Sequence, residues 1–219
     1  MTFTFGIITD GENPAMLNTV ISSIEAQGIP KYEIIVIGNT GIKRDHTRVV
    51  PFDESKHSKW ITRKKNLITS LAKFYNIVYL HDYVALCAGW YNGFRRYGGE
   101  WDVCLNNIVN YDGTRFRDWC LDPGVELPEH RRRERLLPHD FTDSSKMYVS
   151  GAYWVAKKDV MVDVPLDEEL CWGEGEDVEW SRMVRQKYEF SFNPHSRVRF
   201  LKQKWVSFME TGEDIVEGL

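Results

Sequence analysis

Residues 3–40, FTFGIITDGENPAMLNTVISSIEAQGIPKYEIIVIGNT, change their pattern twice. Phe3–Ile8 is a short, mostly apolar run that stops at the polar turn Thr9-Asp10-Gly11, as a buried strand would. Asn13 then stands where a helix cap belongs, and Pro14 takes the first helical position, where its missing N–H costs nothing. Leu17, Val20, Ile21 and Ile24 fall at i, i+3, i+4 and i+7 and share one apolar face. Gly28 ends that helix and Pro30 prevents its return; residues 33–37, EIIVI, form a second strand stopped by Gly38-Asn39-Thr40. A β–turn–helix–β unit of this kind builds a parallel strand pair with a right-handed crossover, so the fold class is α/β. No GxGxxG follows the first strand, which argues against a dinucleotide-binding domain, and no GxxxxGK[ST] occurs to cradle phosphates as a P-loop.

Working outward, residues 41–59 are polar around a β-like island at 49–52, and a helix is expected over 62–75. Its start carries Arg63, Lys64 and Lys65. Cations there oppose the helix dipole, so they are either a solvated basic turn or the docking point of an anion such as a phosphate. Residues 76–80, NIVYL, make a third strand that ends in His81-Asp82-Tyr83. Ligands of open α/β sheets bind beyond the carboxyl ends of strands, which aligns Thr9, Asp10, Asn39, His81 and Asp82 along one edge. A short aromatic helix over 90–97 and a strand over 101–109 follow. Residues 146–156 hold two strand-like pieces around Ser150-Gly151-Ala152, small enough for a ligand to approach the backbone. Between them, residues 110–145 are rich in turn formers and include the basic run Arg131–Arg133, which reads as a solvated face, a lid or a docking loop. The chain closes with strand pieces at 189–192 and 197–201 around Asn193-Pro194-His195, then a tail helix over 204–210.

Residues 171–185, CWGEGEDVEWSRMVR, place Gly173 and Gly175 among Glu174, Glu176 and Asp177, then set Trp180 and Val184 four apart. The pattern is a Gly turn feeding a helix whose first turn carries carboxylates. Read alone, these acids are either ordinary caps or include an Asp that takes the proton of an attacking hydroxyl.

Composition bounds the function. The chain has 219 residues, 42% hydrophobic and 27% charged, enough for the core of one soluble domain. A net charge of -4 lacks the basic excess of a general nucleic-acid binder. No apolar run approaches the ~20 residues of a membrane span, and the N-terminus has neither a basic region nor a cleavage site. Four cysteines with no CxxC pair suit a reducing compartment, so a cytoplasmic protein is expected.

Taken together, these segments resemble the GT-A nucleotide-sugar glycosyltransferases, close to the family 2 pattern, over roughly residues 3–201. The resemblance implies a single Rossmann-like GT-A domain at 1–210, with a central, mostly parallel mixed sheet flanked by helices. Its nucleotide-binding half would be about 1–100, its acceptor and catalytic half about 101–210, and 211–219 a tail. It implies that Thr9, Asp10 and Asn39 hold the base and ribose, and that TRKKN at 62–66 brings Arg63, Lys65 and Asn66 beside the diphosphate. YLHDYV at 79–84 stands where the family carries its DxD-type metal motif, here with one acid where two are usual. By that resemblance Asp82 and His195 would hold Mn2+ or Mg2+, with His81 lining the donor site, while Gly151 and Ala152 of SGAYW would wall donor sugar and acceptor. WGEGED at 172–177 resembles the family's Glu-Asp motif, implying Asp177 as general base and Glu176 as acceptor-orienting.

The implied activity is an inverting, metal-dependent transfer from a nucleoside-diphosphate sugar, UDP by the family's habit, to a hydroxyl of a glycan or glycoprotein. A non-catalytic nucleotide-sugar or glycan-binding module of the same fold is the alternative, motivated by the single-acid metal motif. A sugar nucleotidyltransferase ranks last, because TDGENPAM lacks the glycines and basic residues such enzymes carry after the first strand.

Overall fold

The computed structural model describes residues 1–126 and 135–204. The basic run Arg131–Arg133 and all but the first residue of the helix expected over 204–210 lie outside the described residues. β1 (Phe3–Ile8), α1 (Pro14–Glu25) and β2 (Tyr32–Ile37) form the opening unit. β1 and β2 pair in parallel from Phe3↔Tyr32 to Ile8↔Ile37. The Asn13 side chain caps α1 by accepting from the Met16 N–H at 3.0 Å. The chain continues through β3 (Thr47–Val50), α2 (Ile61–Leu71), β4 (Asn76–His81), β5 (Val84–Leu86), α3 (Trp90–Tyr97) and β6 (Val103–Val109). Then come β7 (Cys120–Leu121), β8 (Met147–Tyr148), β9 (Tyr153–Lys157), α4 (Lys158–Asp163), α5 (Glu176–Val184) and β10 (Phe190–Phe200).

Eight strands make one sheet in the order β3-β2-β1-β4-β9-β6-β10-β5. The pairs β3/β2, β2/β1, β1/β4 and β6/β10 are parallel, whereas β4/β9, β9/β6 and β10/β5 are antiparallel. Because β9 runs against both β4 and β6, strands β6 and β10 point the same way as β1 and β4. The C-terminal ends of β1, β4 and β10 and the N-terminal end of β9 therefore share one edge.

Both faces of the sheet are covered, which is why its strands read as unbroken apolar runs. Ile34 and Val36 pack with Val20 and Ile24 of α1 and Trp90 and Phe94 of α3. Ile35 and Ile37 pack on the other side with Ile68 of α2, Trp154 of β9 and Trp180 of α5. Helix α3 lies directly on β10, because Gly93 leaves room for the His195 carbonyl; a Cβ there would overlap that oxygen. Gly93→Ala is thus expected to lower the thermal midpoint by roughly 2–8 °C, at about 1–2 kcal/mol of overpacking. An unchanged midpoint would show that α3 can lift away freely.

Four elements differ from the sequence reading. The helix expected over 62–75 stops at Leu71, because Ala72 takes an extended conformation (φ -59, ψ 126). The two closing strand pieces are a single strand, β10, with a register shift between Asn193 and Arg197. The short β5 and α4 are not legible from periodicity at their lengths. Among the described residues no helix is long and apolar enough to cross a membrane.

Candidate active site

The shared sheet edge opens into two adjoining cavities of about 260 and 400 Å3. Thr9, Asp10 and Asp82 face the first; Gly151, Glu176 and Asp177 face the second. His81, Tyr83, Trp172 and Lys204 line both, so they form a common wall.

The first cavity is built from the ends of β1 and β4. Thr9 Oγ1 donates to Asp82 Oδ2 at 2.6 Å and accepts from the Gly11 N–H at 3.0 Å. The Asp82 N–H donates to the Ile8 carbonyl at 3.2 Å, so the turn after β4 is pinned to β1. Burial raises the Asp82 pKa, against the pull of the Thr9 hydrogen bond. His81 is anchored by its own N–H on the Ala152 carbonyl at 3.1 Å. Burial first, then the charge of Lys65, hold its imidazole well below the usual histidine pKa, so it is neutral at pH 7. Lys64 enters from α2, donating to the Thr9 carbonyl at 2.7 Å and pairing with Glu54 at 2.6 Å.

The second cavity is built around the start of α5. Gly175 has a left-handed backbone (φ 80) that turns the chain into the helix, placing Glu176 and Asp177 in its first turn. Asp177 Oδ2 accepts from the Gly151 N–H at 2.7 Å, and Oδ1 accepts from the Val178 N–H at 2.9 Å. Ser181 Oγ donates to the Asp177 carbonyl and accepts from the Val149 N–H, tying α5 to the segment before β9. A Cβ at 151 would stand 2.9 Å from both Asp177 Oδ2 and Glu176 Oε1, so a larger residue there would push the acid pair aside. Beneath this turn the buried Lys65 donates to the Gly151 carbonyl at 2.8 Å, with its ammonium 4.5 Å from the Trp154 ring centroid. Burial lowers the Lys65 pKa to about 8, even though Glu176 and Asp177 pull it up. Glu176 is raised by burial and by its neighbour Asp177, with Lys65 opposing.

The structure thus brings Thr9, Asp10, His81, Asp82, Gly151, Ala152, Glu176 and Asp177 to one cleft. It does not bring five others. His195 sits on the exposed side of β10, about 16 Å back from Phe200 at ~3.3 Å per residue, and lines neither cavity. Arg63 is turned outward onto Glu168 at 2.9 and 3.0 Å, and Asn66 is bonded to the Leu166 carbonyl and Glu168. Asn39 donates to the Phe52 carbonyl and accepts from the Phe52 N–H, bracing a loop instead of facing the cavity. Lys65, expected at a diphosphate, lies under the acid pair. The helical period could have shown this much: Ile61, Lys64, Lys65 and Ile68 share the inner face of α2, and Arg63 does not. Lys202 and Lys204, both in the first cavity, gave no signal, because they lie past the last strand.

A metal ion fits this cleft poorly. Asp82 and His195 do not meet, and among the described residues no three His, Cys, Asp or Glu groups converge to hold an ion. The described part of 110–145 walls the second cavity. Arg115 Nε donates to the buried Asp118 Oδ1 at 2.7 Å, β7 pairs with β8, and Phe116 faces the second cavity.

No protein-family model and no curated protein matches the chain. Solved structures do. A crystal structure of GalNAc-T7 with UDP, GalNAc and Mn2+ aligns with a TM-score of 0.67 at 15% identity, over 96% of this chain and 45% of that one. The S. aureus TarS 1–349 structure aligns with a TM-score of 0.60 at 11% identity, over 90% of this chain and 60% of that one. The same fragment in complex with UDP aligns with a TM-score of 0.60 at 12% identity. This chain therefore spans about half the length of the solved proteins it matches. Both are glycosyltransferases, and with that sheet order, flanking helices and edge cleft the chain has the GT-A glycosyltransferase fold.

Proposed function

We propose that this chain transfers a sugar from a nucleoside-diphosphate sugar, with UDP favoured, to a hydroxyl of a glycan or glycoprotein. The observation that carries the reading is the junction of two cavities at one sheet edge, with Asp82 facing one and the Gly151-held Asp177 facing the other. UDP in the GalNAc-T7 and TarS structures supports a uridine donor. The half from β1 to α3 supplies most of the donor cavity, with Trp172, Lys202 and Lys204 added from the rest of the chain, which also supplies most of the acceptor wall.

In this reading the acceptor hydroxyl gives its proton to the Asp177 carboxylate while its oxygen bonds to the anomeric carbon. The bond from that carbon to the diphosphate breaks, and its electron pair stays on the phosphate oxygen. Asp177 on the acceptor side and the diphosphate on the donor side describe a single displacement with inversion. Glu176, one residue before Asp177 and largely buried, orients the acceptor. Mn2+, present in the GalNAc-T7 structure, or Mg2+ in its place finds no group of three His, Cys, Asp or Glu ligands among the described residues, and these steps are written without it.

Incubation with UDP-, GDP- and dTDP-sugars and a panel of glycan acceptors tests the reading. The expected result is free nucleoside diphosphate in step with glycosylated product. Donor binding without product across the panel would replace it with the non-catalytic binding module, the reading favoured by the missing metal ligand set.

A further inference from the structure

We propose that Lys204, with Lys202 beside it, takes up the donor's diphosphate and does so without a divalent ion. The inference rests on the nucleotide-sugar reading and deepens it by naming the groups that meet the leaving group's charge.

The first cavity is lined by four lysines, and they are not equivalent. Lys64 is spent on Glu54 and the Thr9 carbonyl. Lys59 lies over the Trp172 ring, 4.7 Å from its centroid. Lys202 and Lys204 both stand over the Tyr83 ring, at 4.3 and 5.2 Å. Among the described residues neither makes a salt bridge. Lys204 is nevertheless held in place by its backbone. Its N–H donates to Asn110 Oδ1 at 2.9 Å, and its carbonyl accepts from Asn110 Nδ2 at 2.8 Å. Burial, then the neighbouring charges of Lys202 and Arg117, push its pKa down.

A fixed, partly buried ammonium crowded by other cations is stabilised by an anion. The carboxylates of this cavity do not supply it, since Glu54 is on Lys64, Asp82 is on Thr9 and Asp10 accepts from the Glu12 N–H. Lys204 also belongs to the common wall, so its ammonium reaches the point where the donor cavity meets the acceptor cavity. That is where the bridging oxygen of a sugar diphosphate would lie. As the sugar leaves, this oxygen keeps the bonding electron pair, and Lys204 donates a hydrogen bond to the growing charge. No proton changes hands there, because the acceptor's proton goes to Asp177.

Titration calorimetry in EDTA tests this with inorganic pyrophosphate, UDP and uridine against the native chain, Lys204→Met, Lys202→Met and Lys204→Arg. Pyrophosphate and UDP are expected to bind the native chain in EDTA. Lys204→Met is expected to weaken both by about tenfold or more, with uridine affinity and the thermal midpoint unchanged and Lys204→Arg retaining most of the binding. Equal UDP and pyrophosphate affinity in both Met variants, or binding only after Mn2+ is added, overturns the inference. The two readings fail differently. UDP binding that ignores the lysines leaves the nucleotide-sugar reading standing and removes this one. Pyrophosphate binding that needs the lysines, with UDP no tighter than pyrophosphate and no uridine binding, does the reverse.

Discussion

Asp177→Asn is expected to lower kcat by about 10²–10⁴ while UDP affinity stays within roughly twofold, because the change removes the proton acceptor and, besides it, only the local bond from the Val178 N–H to Oδ1. The amide carbonyl can still accept the Gly151 N–H that now holds Oδ2 at 2.7 Å. Ser181 still bonds the backbone of residue 177 and the Val149 N–H, so α5 keeps its seat against the sheet edge. What is lost is a group basic enough to take the acceptor's proton as its oxygen attacks. A loss of that size corresponds to about 3–5 kcal/mol of transition-state stabilisation. Steady-state transfer assays, with calorimetry of UDP on the same preparation, separate the two quantities. Turnover of the Asn variant near the native rate would take Asp177 out of its role.

Lys65→Met is expected to have the next largest effect, and it shows in two opposite pH trends. Lys65 sits beneath Gly151, Glu176 and Asp177, and burial lowers its pKa to about 8. As pH rises through about 8 the ammonium loses its proton, the acid pair loses its counter-charge, and transfer should decline. Stability should move the other way. An unfolded lysine keeps its proton to about 10.5, so between the two values the unfolded chain binds more protons than the folded one and folding gains with pH. Met at this position cannot titrate, so both trends should vanish. The Gly151 carbonyl also loses its donor, at about 1–3 kcal/mol, or roughly 2–12 °C in thermal midpoint. The acid limb of the rate profile should move upward as well, because Lys65 opposes the raised pKa of Glu176. Rate profiles and melts from pH 6 to 10 check all of this. An alkaline limb surviving in the Met variant would assign it to another group.

The opening unit was legible because each boundary carries its own chemistry. Asn13 caps, Pro14 starts, four apolar residues share a face, and two apolar runs end in polar turns. The acid pair was legible for the same reason, since Gly175 must precede α5 for the chain to turn into it. The errors share a different cause. Asn193-Pro194-His195 reads as a turn between strands, yet β10 runs through it. Asn193 closes a local ring there, accepting from the His195 N–H and donating to Ser196 Oγ, and the proline falls at an irregularity where its missing donor is tolerated. His195 was therefore placed at an end when it belongs to a middle. The segment that carries Arg63, Lys65 and Asn66 starts helix α2 beside the cleft, but none of those three side chains lines the cavity. One step along a helix turns a side chain by about 100°, and only Lys64 of the basic run faces the cavity. Lys202 and Lys204 needed the sheet itself. Nothing local says that a strand three places removed from β4 ends beside it.

The common wall of His81, Tyr83, Trp172 and Lys204 has a consequence for binding. Two compartments that share four side chains cannot be filled independently, since whatever occupies one sets the shape and charge the other presents. For the transfer proposed above, donor and acceptor should therefore bind with coupled affinities. UDP held in the first cavity should shift the acceptor's affinity, which calorimetry with and without UDP checks.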